Sequence, residues 1–221
     1  MATDEHIHQQ ILNAIVEHQL PPGARLPEDR LSEAFGVSRT GIRKVLQRLS
    51  LEHFVVIEKN KGAHVNRPSE SEALEVLDSR ILIEPQLIPA LITHWNPEQS
   101  SRFRLMTKEE KQAEANGQLA EAIQLTARFH YELAHLSGNK VLASFVEQLC
   151  YRSSLILAAY GTRGSVGCEC GDHAQLLDIL DSGSAEDAQH WMSHHLKHIR
   201  SSLILESKED TNIDFQRLFS R

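Results

Sequence analysis

The segment Leu26–Leu49 constrains this chain more than any other. Leu31, Ala34 and Phe35 mark one short amphipathic helix, and Ile42, Val45, Leu46 and Leu49 fall at i, i+3, i+4 and i+7, which puts four apolar side chains on one face of a second. Pro27-Glu28-Asp29 opens the first, because proline suits an initial turn and carboxylates favour the positive end of the helix dipole. Gly36 suits the left-handed residue that ends it, and Ser38 suits the N-cap of the next. An earlier stripe of Ile7, Ile11, Ala14 and Ile15 predicts a supporting helix that Pro21-Pro22-Gly23 stops. These three helices make a small domain whose third helix shows its polar face outward.

That face carries chemistry. Arg39 and Arg43 are four apart, as are Thr40 and Lys44, so four groups able to bond phosphates or base edges project from the helix start. A helix enters the major groove in this way, with arginine taking guanine by two bonds and threonine meeting a thymine methyl. Phe54-Val55-Val56-Ile57 is β-rich, Glu58-Lys59-Asn60-Lys61-Gly62 is a basic turn, and Ala63-His64-Val65-Asn66 reads as the return strand. This two-stranded wing places Lys59 and Lys61 beside the backbone or minor groove. The plainer alternative is a solvated basic helix on an ordinary small domain.

From Leu26 to Leu49, and more broadly from about Ile7 to Asn66, the chain closely resembles the DNA-binding domain of the GntR family of bacterial regulators. The resemblance implies a winged helix-turn-helix in which Arg30, Arg39, Thr40 and Arg43 contact DNA and Gly62 is the wing glycine. Ser38, Lys44, Lys59 and Lys61 complete the expected DNA-binding set. Gly41 stands where the family often has proline, which weakens the helix start a little.

A net charge of -7 argues against DNA only until it is placed. Met1–Pro68 holds nine Lys/Arg against eight Asp/Glu, whereas Ser69–Arg221 holds fourteen against twenty-two. The acid therefore belongs to the second part, and the first keeps its bases clustered from Arg39 to Arg48. Asn66-Arg67-Pro68-Ser69 reads as a linker, giving domains at 1–68 and 69–206 with a polar tail at 207–221. Helical patterns near Ser71–His94, Pro97–Ala115, Gln118–Leu136, Lys140–Tyr160, Asp172–Leu180 and Ala185–Glu206 predict a six-helix antiparallel bundle, so the fold is mainly α. No apolar run is expected to reach the roughly 18 residues of a membrane span, and the N-terminus does not read as a signal peptide, so a cytoplasmic protein without membrane contact is expected. Three cysteines make no disulfide framework. Cys168-Glu169-Cys170-Gly171-Asp172-His173 is a short Cys/His tract in a loop, read as reduced and unliganded rather than as a second metal cluster.

Three histidines lie at or beside apolar stripes on three different helices. His173 runs with Leu176, Leu177 and Leu180, His195 with Ala188, Met192 and Ile199, and His130 borders the stripe of Leu125, Phe129, Leu133 and Leu136. Three inward imidazoles in one bundle can converge on a metal, although a lone inward histidine is usually a hydrogen-bonded core residue. His190, His194 and His198 form a rival stripe beside Asp187 and Ser201, read as solvated.

Phe129-His130, Leu136-Ser137-Gly138-Asn139, Asp172-His173 and His195-Leu196 look like the ligand-binding FCD domain of the FadR subfamily, over about Glu72–Leu205. The resemblance implies a helical bundle in which three histidines and an aspartate hold a divalent metal that helps bind a small carboxylate effector. The histidines map onto His130, His173 and His195. The aspartate does not map: Thr126 stands four residues before His130, so a zinc or nickel site is expected to be more positive and more open, or the histidines bond the effector directly. Arg80, Arg152 and Thr126 are the candidate effector contacts, the two arginines because a guanidinium fork matches a carboxylate; a structural ion pair is the alternative for each. The function implied is a ligand-responsive regulator, most often a repressor, acting as a homodimer on a palindromic operator of double-stranded DNA. The competing readings are a metal-dependent hydrolase with an accessory DNA-binding domain, against which no His-Glu-x-x-His is found, and an architectural DNA-binding dimer that senses nothing.

Overall fold

A computed structural model describes residues 3–16, 19–161 and 173–205. They fall in two compact units, one ending at Pro68 and one spanning Ser69–Leu205. The Cys168-to-Asp172 tract and the tail after Leu205 lie outside the described residues.

In the first unit, α1 (Asp4–Val16), α2 (Glu28–Phe35) and α3 (Arg39–Leu51) precede a hairpin of β1 (Val55–Glu58) and β2 (Gly62–Val65). Ile7, Ile11 and Ile15 of α1 and Ile42, Val45, Leu46 and Leu49 of α3 are buried, so the two stripes read from the sequence form one core. Gly36 takes the left-handed conformation at φ 64°, ending α2, and the Ser38 hydroxyl caps α3 by accepting from Gly41 N–H at 3.2 Å. Proline at position 41 would have no N–H to give. The departure from the family's usual residue therefore supplies the donor this cap uses. In the wing Val55 pairs with Val65 and Glu58 with Gly62, closing a turn with Asn60 and Gly62 both at positive φ.

In the second unit the described residues form six helices: α4 (Glu70–Ile92), α5 (Pro97–Ala115), α6 (Leu119–Leu136), α7 (Lys140–Tyr160), α8 (His173–Ser182) and α9 (Ala185–Ser201). Ser69, Asn96, Asn139 and Ser184 cap four of them by side-chain oxygens. Short joints fold consecutive helices together: α5 packs on α6, α6 on α7, and α8 on α9. The long helix α4 packs on α6, α7 and α9.

Two ends differ from expectation. Helix α4 stops at Ile92 rather than His94, because Pro97 excludes the helical conformation at Asn96 and the chain turns before it. Helix α9 stops at Ser201 rather than Glu206; Ile204 N–H instead donates to the Tyr160 carbonyl at 2.8 Å, and Leu203 and Leu205 pack against Ala73, Val76 and Ile156. Helix α7 also differs. By length and composition it is apolar enough to cross a bilayer, contrary to the expectation that no segment is, but half of that window is buried in the bundle, against α4 and α6.

Candidate functional site

On the first unit, all nine residues expected to meet DNA are exposed: Arg30 on α2, Ser38 at the cap, Arg39, Thr40, Arg43 and Lys44 on α3, and Lys59, Lys61 and Gly62 at the wing turn. Glu28 is a neighbour the sequence reading passed over. Arg43 donates to both of its oxygens, at 2.9 and 2.6 Å, and Lys61 similarly pairs with Glu58 at 2.7 Å. Exposed pairs of this kind are weak in water, so a phosphate or a guanine edge competes for either base.

The second unit holds its polar groups inside. His130 on α6, His173 on α8 and His195 on α9 are all buried, and one ring nitrogen from each lies within 4.8 Å of the others. His130 is fully inside, not at the border of its stripe: the buried face of α6 runs through Ala122, Ile123, Thr126, Phe129, His130 and Leu133. Aromatic rings hold the imidazoles in place. Phe129 stacks on His173 at 4.2 Å and Trp191 on His195 at 4.7 Å. Of the stripe read as solvated, His190 and His194 are exposed and His198 is half-buried.

Two buried carboxylates fix the rings. His130 Nδ1–H donates to Glu84 Oε2 and His173 Nδ1–H to Glu110 Oε2, each at 2.7 Å. An ionised carboxylate only accepts, so each Nδ1 carries a proton, and in the neutral ring the lone pair is then on Nε2. The Nε2 atoms of His130 and His173 are buried and make no hydrogen bond. Two orphaned acceptors with a third imidazole beside them are a donor set that fits a divalent metal such as zinc.

Burial pushes the Glu84 carboxyl up, but Arg80 and His130 outweigh it and hold it at about 2. Burial raises Glu110 as well, and His173 and Thr126 bring it below the usual range. Burial drives His130 down to about 4 and His195 well below its ordinary value, so both imidazoles are neutral, the form that ligates a metal.

The arginines and Thr126 are occupied. Arg80 is buried, with Nε on Glu84 Oε1 at 2.5 Å and Nη1 on Ser153 Oγ at 3.1 Å. Arg152 is half-exposed and pairs with Glu72, about 18 Å along α4 from Glu84, so it is not brought to the histidines. The Thr126 hydroxyl donates to Glu110 Oε1. The converging group contains no carboxylate, but two carboxylates, from α4 and α5, stand directly behind its imidazoles. A signal for both was present. Arg80 and Glu84 interrupt the buried stripe of Ala73, Val76, Leu77, Leu87, Ile88 and Leu91, and Glu110 interrupts that of Phe103, Met106 and Ala113. A charge in mid-stripe needs a buried partner.

The sequence matches two family models: bacterial regulatory proteins of the gntR family over residues 3–65, and the FCD domain over residues 75–198, more than half of the chain. The chain belongs to the GntR family and carries an FCD domain. Among curated relatives, the "Fatty acid metabolism regulator protein" of Shewanella pealeana is 34% identical over 143 residues, and that of Shewanella sp. ANA-3 is 31% identical over the same length. The alignments cover 58% of this chain and about 60% of those proteins. The fold is that of E. coli McbR/YncC (TM-score 0.66, 20% identity, 89% of this chain and 94% of that one) and of a Rhodococcus sp. RHA1 GntR structure (TM-score 0.66, 20% identity, 90% and 95%).

Proposed function

We propose that this chain is a DNA-binding transcriptional regulator whose affinity for its operator responds to a small carboxylate effector held, with a zinc or nickel ion, at His130, His173 and His195. The convergence of the three imidazoles is the observation that carries the reading, since two of them are pinned by carboxylates with Nε2 left to bind. A metal held there supplies a Lewis-acidic position for a carboxylate oxygen. The chain's own part is to hold the rings, exclude water and shape what lies beside them. Glu84, Leu87, Ile88, Leu91, His130, Leu133, Ala134 and Met192 line a cavity of about 10 Å3, which has room for about one water. Its walls are mostly apolar, so the effector has an apolar portion next to its acid group and moves side chains to enter. A carboxylate is also the group that a fatty acid and a chelating metabolite share, which accommodates the names of the curated relatives.

The protein acts in the cytoplasm as a homodimer, pairing two reading helices on a palindromic site. By linkage, whatever factor the effector applies to operator affinity, DNA applies to effector affinity. Metal analysis of untagged protein purified without chelator tests the reading. About one zinc or nickel per chain, lost in His195→Ala with the fold intact, is expected, together with a carboxylate-dependent change in operator affinity. Metal-free wild-type protein refutes it.

A further inference from the structure

We infer that Glu110 does the work of the aspartate absent at position 126: as a positioning residue acting through His173, it aims Nε2 at the metal and supplies the site's uncancelled negative charge. This rests on the metal reading above. Both Glu110 oxygens are committed, Oε1 accepting from Thr126 and Oε2 from His173 Nδ1–H. Glu84 stands in the same relation to His130, but its charge is cancelled by Arg80, to which it is joined through both oxygens. Glu110 is buried, and among its described contacts at the site it has only a hydroxyl and an imidazole. A buried carboxylate without a cation is costly, and a dication on the far side of His173 offsets that cost.

The same contact accounts for Thr126. Its side chain is one turn before His130, within hydrogen-bonding reach of Glu110. An aspartate there would set a second carboxylate against the first, where like charges repel and no proton is offered to Glu110. Threonine instead donates a proton and orients Glu110. Carboxylate at 110 with threonine at 126 is thus one solution, and aspartate at 126 with a neutral residue at 110 is the other.

The test is Zn2+ affinity of the full chain by competition with a chromophoric chelator, with circular dichroism to check folding. Glu110→Gln, which keeps the shape and removes the charge, is expected to bind Zn2+ about 10–100-fold more weakly. Adding Thr126→Asp to Glu110→Gln is expected to restore affinity to within a few-fold of wild type, whereas Thr126→Asp alone is not expected to improve it. Restoration distinguishes charge supply from a merely structural role. If Glu110→Gln does not fold, Thr126→Val serves: it is nearly isosteric, removes the donor, and is expected to weaken Zn2+ several-fold. Wild type that binds while Glu110→Gln, or Thr126→Val in its place, stays within twofold of it overturns this inference alone. Wild type that takes up no Zn2+ overturns it together with the metal reading.

Discussion

Replacing Arg80 by methionine is the most direct probe of the buried network. Methionine fills much of the same volume but leaves the Glu84 charge inside the bundle without its cation. The two charges are in contact, with Nε and Oε1 2.5 Å apart and both side chains only 3% exposed. For charge centres about 4 Å apart at an effective dielectric of about 20, the attraction is ~4 kcal/mol. Removal of one member of a buried pair costs ~3–5 kcal/mol, which agrees. The assay is urea unfolding followed by tryptophan emission in the presence of chelator. Trp95 and Trp191 are the only tryptophans and both belong to the second unit, so the signal reports the bundle by itself. With a slope of roughly 2 kcal/mol per molar urea, the midpoint should fall by about 2 M. Adding Glu84→Gln removes the stranded charge while its amide oxygen still accepts from His130, so the double variant should regain most of the loss. A single variant within about 0.3 M of wild type, or a double variant as unstable as the sum of its parts, would refute the argument that Arg80 is held by Glu84 and stabilises the fold through it.

Three further outcomes are expected. Asp181 accepts from Trp95, Ser100 and Arg104; burial raises its carboxyl, these donors outweigh that, and it sits below its usual value of 3.8, so its stabilisation is complete above about pH 4 and lost as pH falls through the folded value; Asp181→Asn should flatten the acid side of the Trp95 emission profile, and an unchanged profile would show that the contact does not contribute. Arg39→Ala should weaken operator binding by about 1–3 kcal/mol and relax base preference, whereas Lys59→Ala should weaken all sequences alike and reduce the salt slope by about 1, both read by fluorescence anisotropy at several salt concentrations.

Local pattern determined a good deal here. The stripe on α3, the Gly36 stop, the Ser38 cap and the β-rich run at Phe54–Ile57 each state a preference of the chain within a few residues, and each reappears in the first unit. The six helices of the bundle were legible for the same reason, because apolar periodicity and capping residues act within one or two turns. That His173 and His195 face inward was also legible, since their neighbours at i+3 and i+4 or i-3 and i+4 are apolar. What those histidines meet was not. Glu84 and Glu110 lie 46 and 63 residues from the rings they hold, and no local spacing links residues on different helices. Arg80 read as an anchor for an effector because a guanidinium fork matches a carboxylate; Glu84, one turn on along the same helix, and Ser153, 73 residues on, decide that it is spent inside the protein. Sequence fixes which face each helix buries. Which charges then neutralise one another is settled only when the faces meet, because a buried charge takes its partner from whatever packing brings within hydrogen-bonding distance.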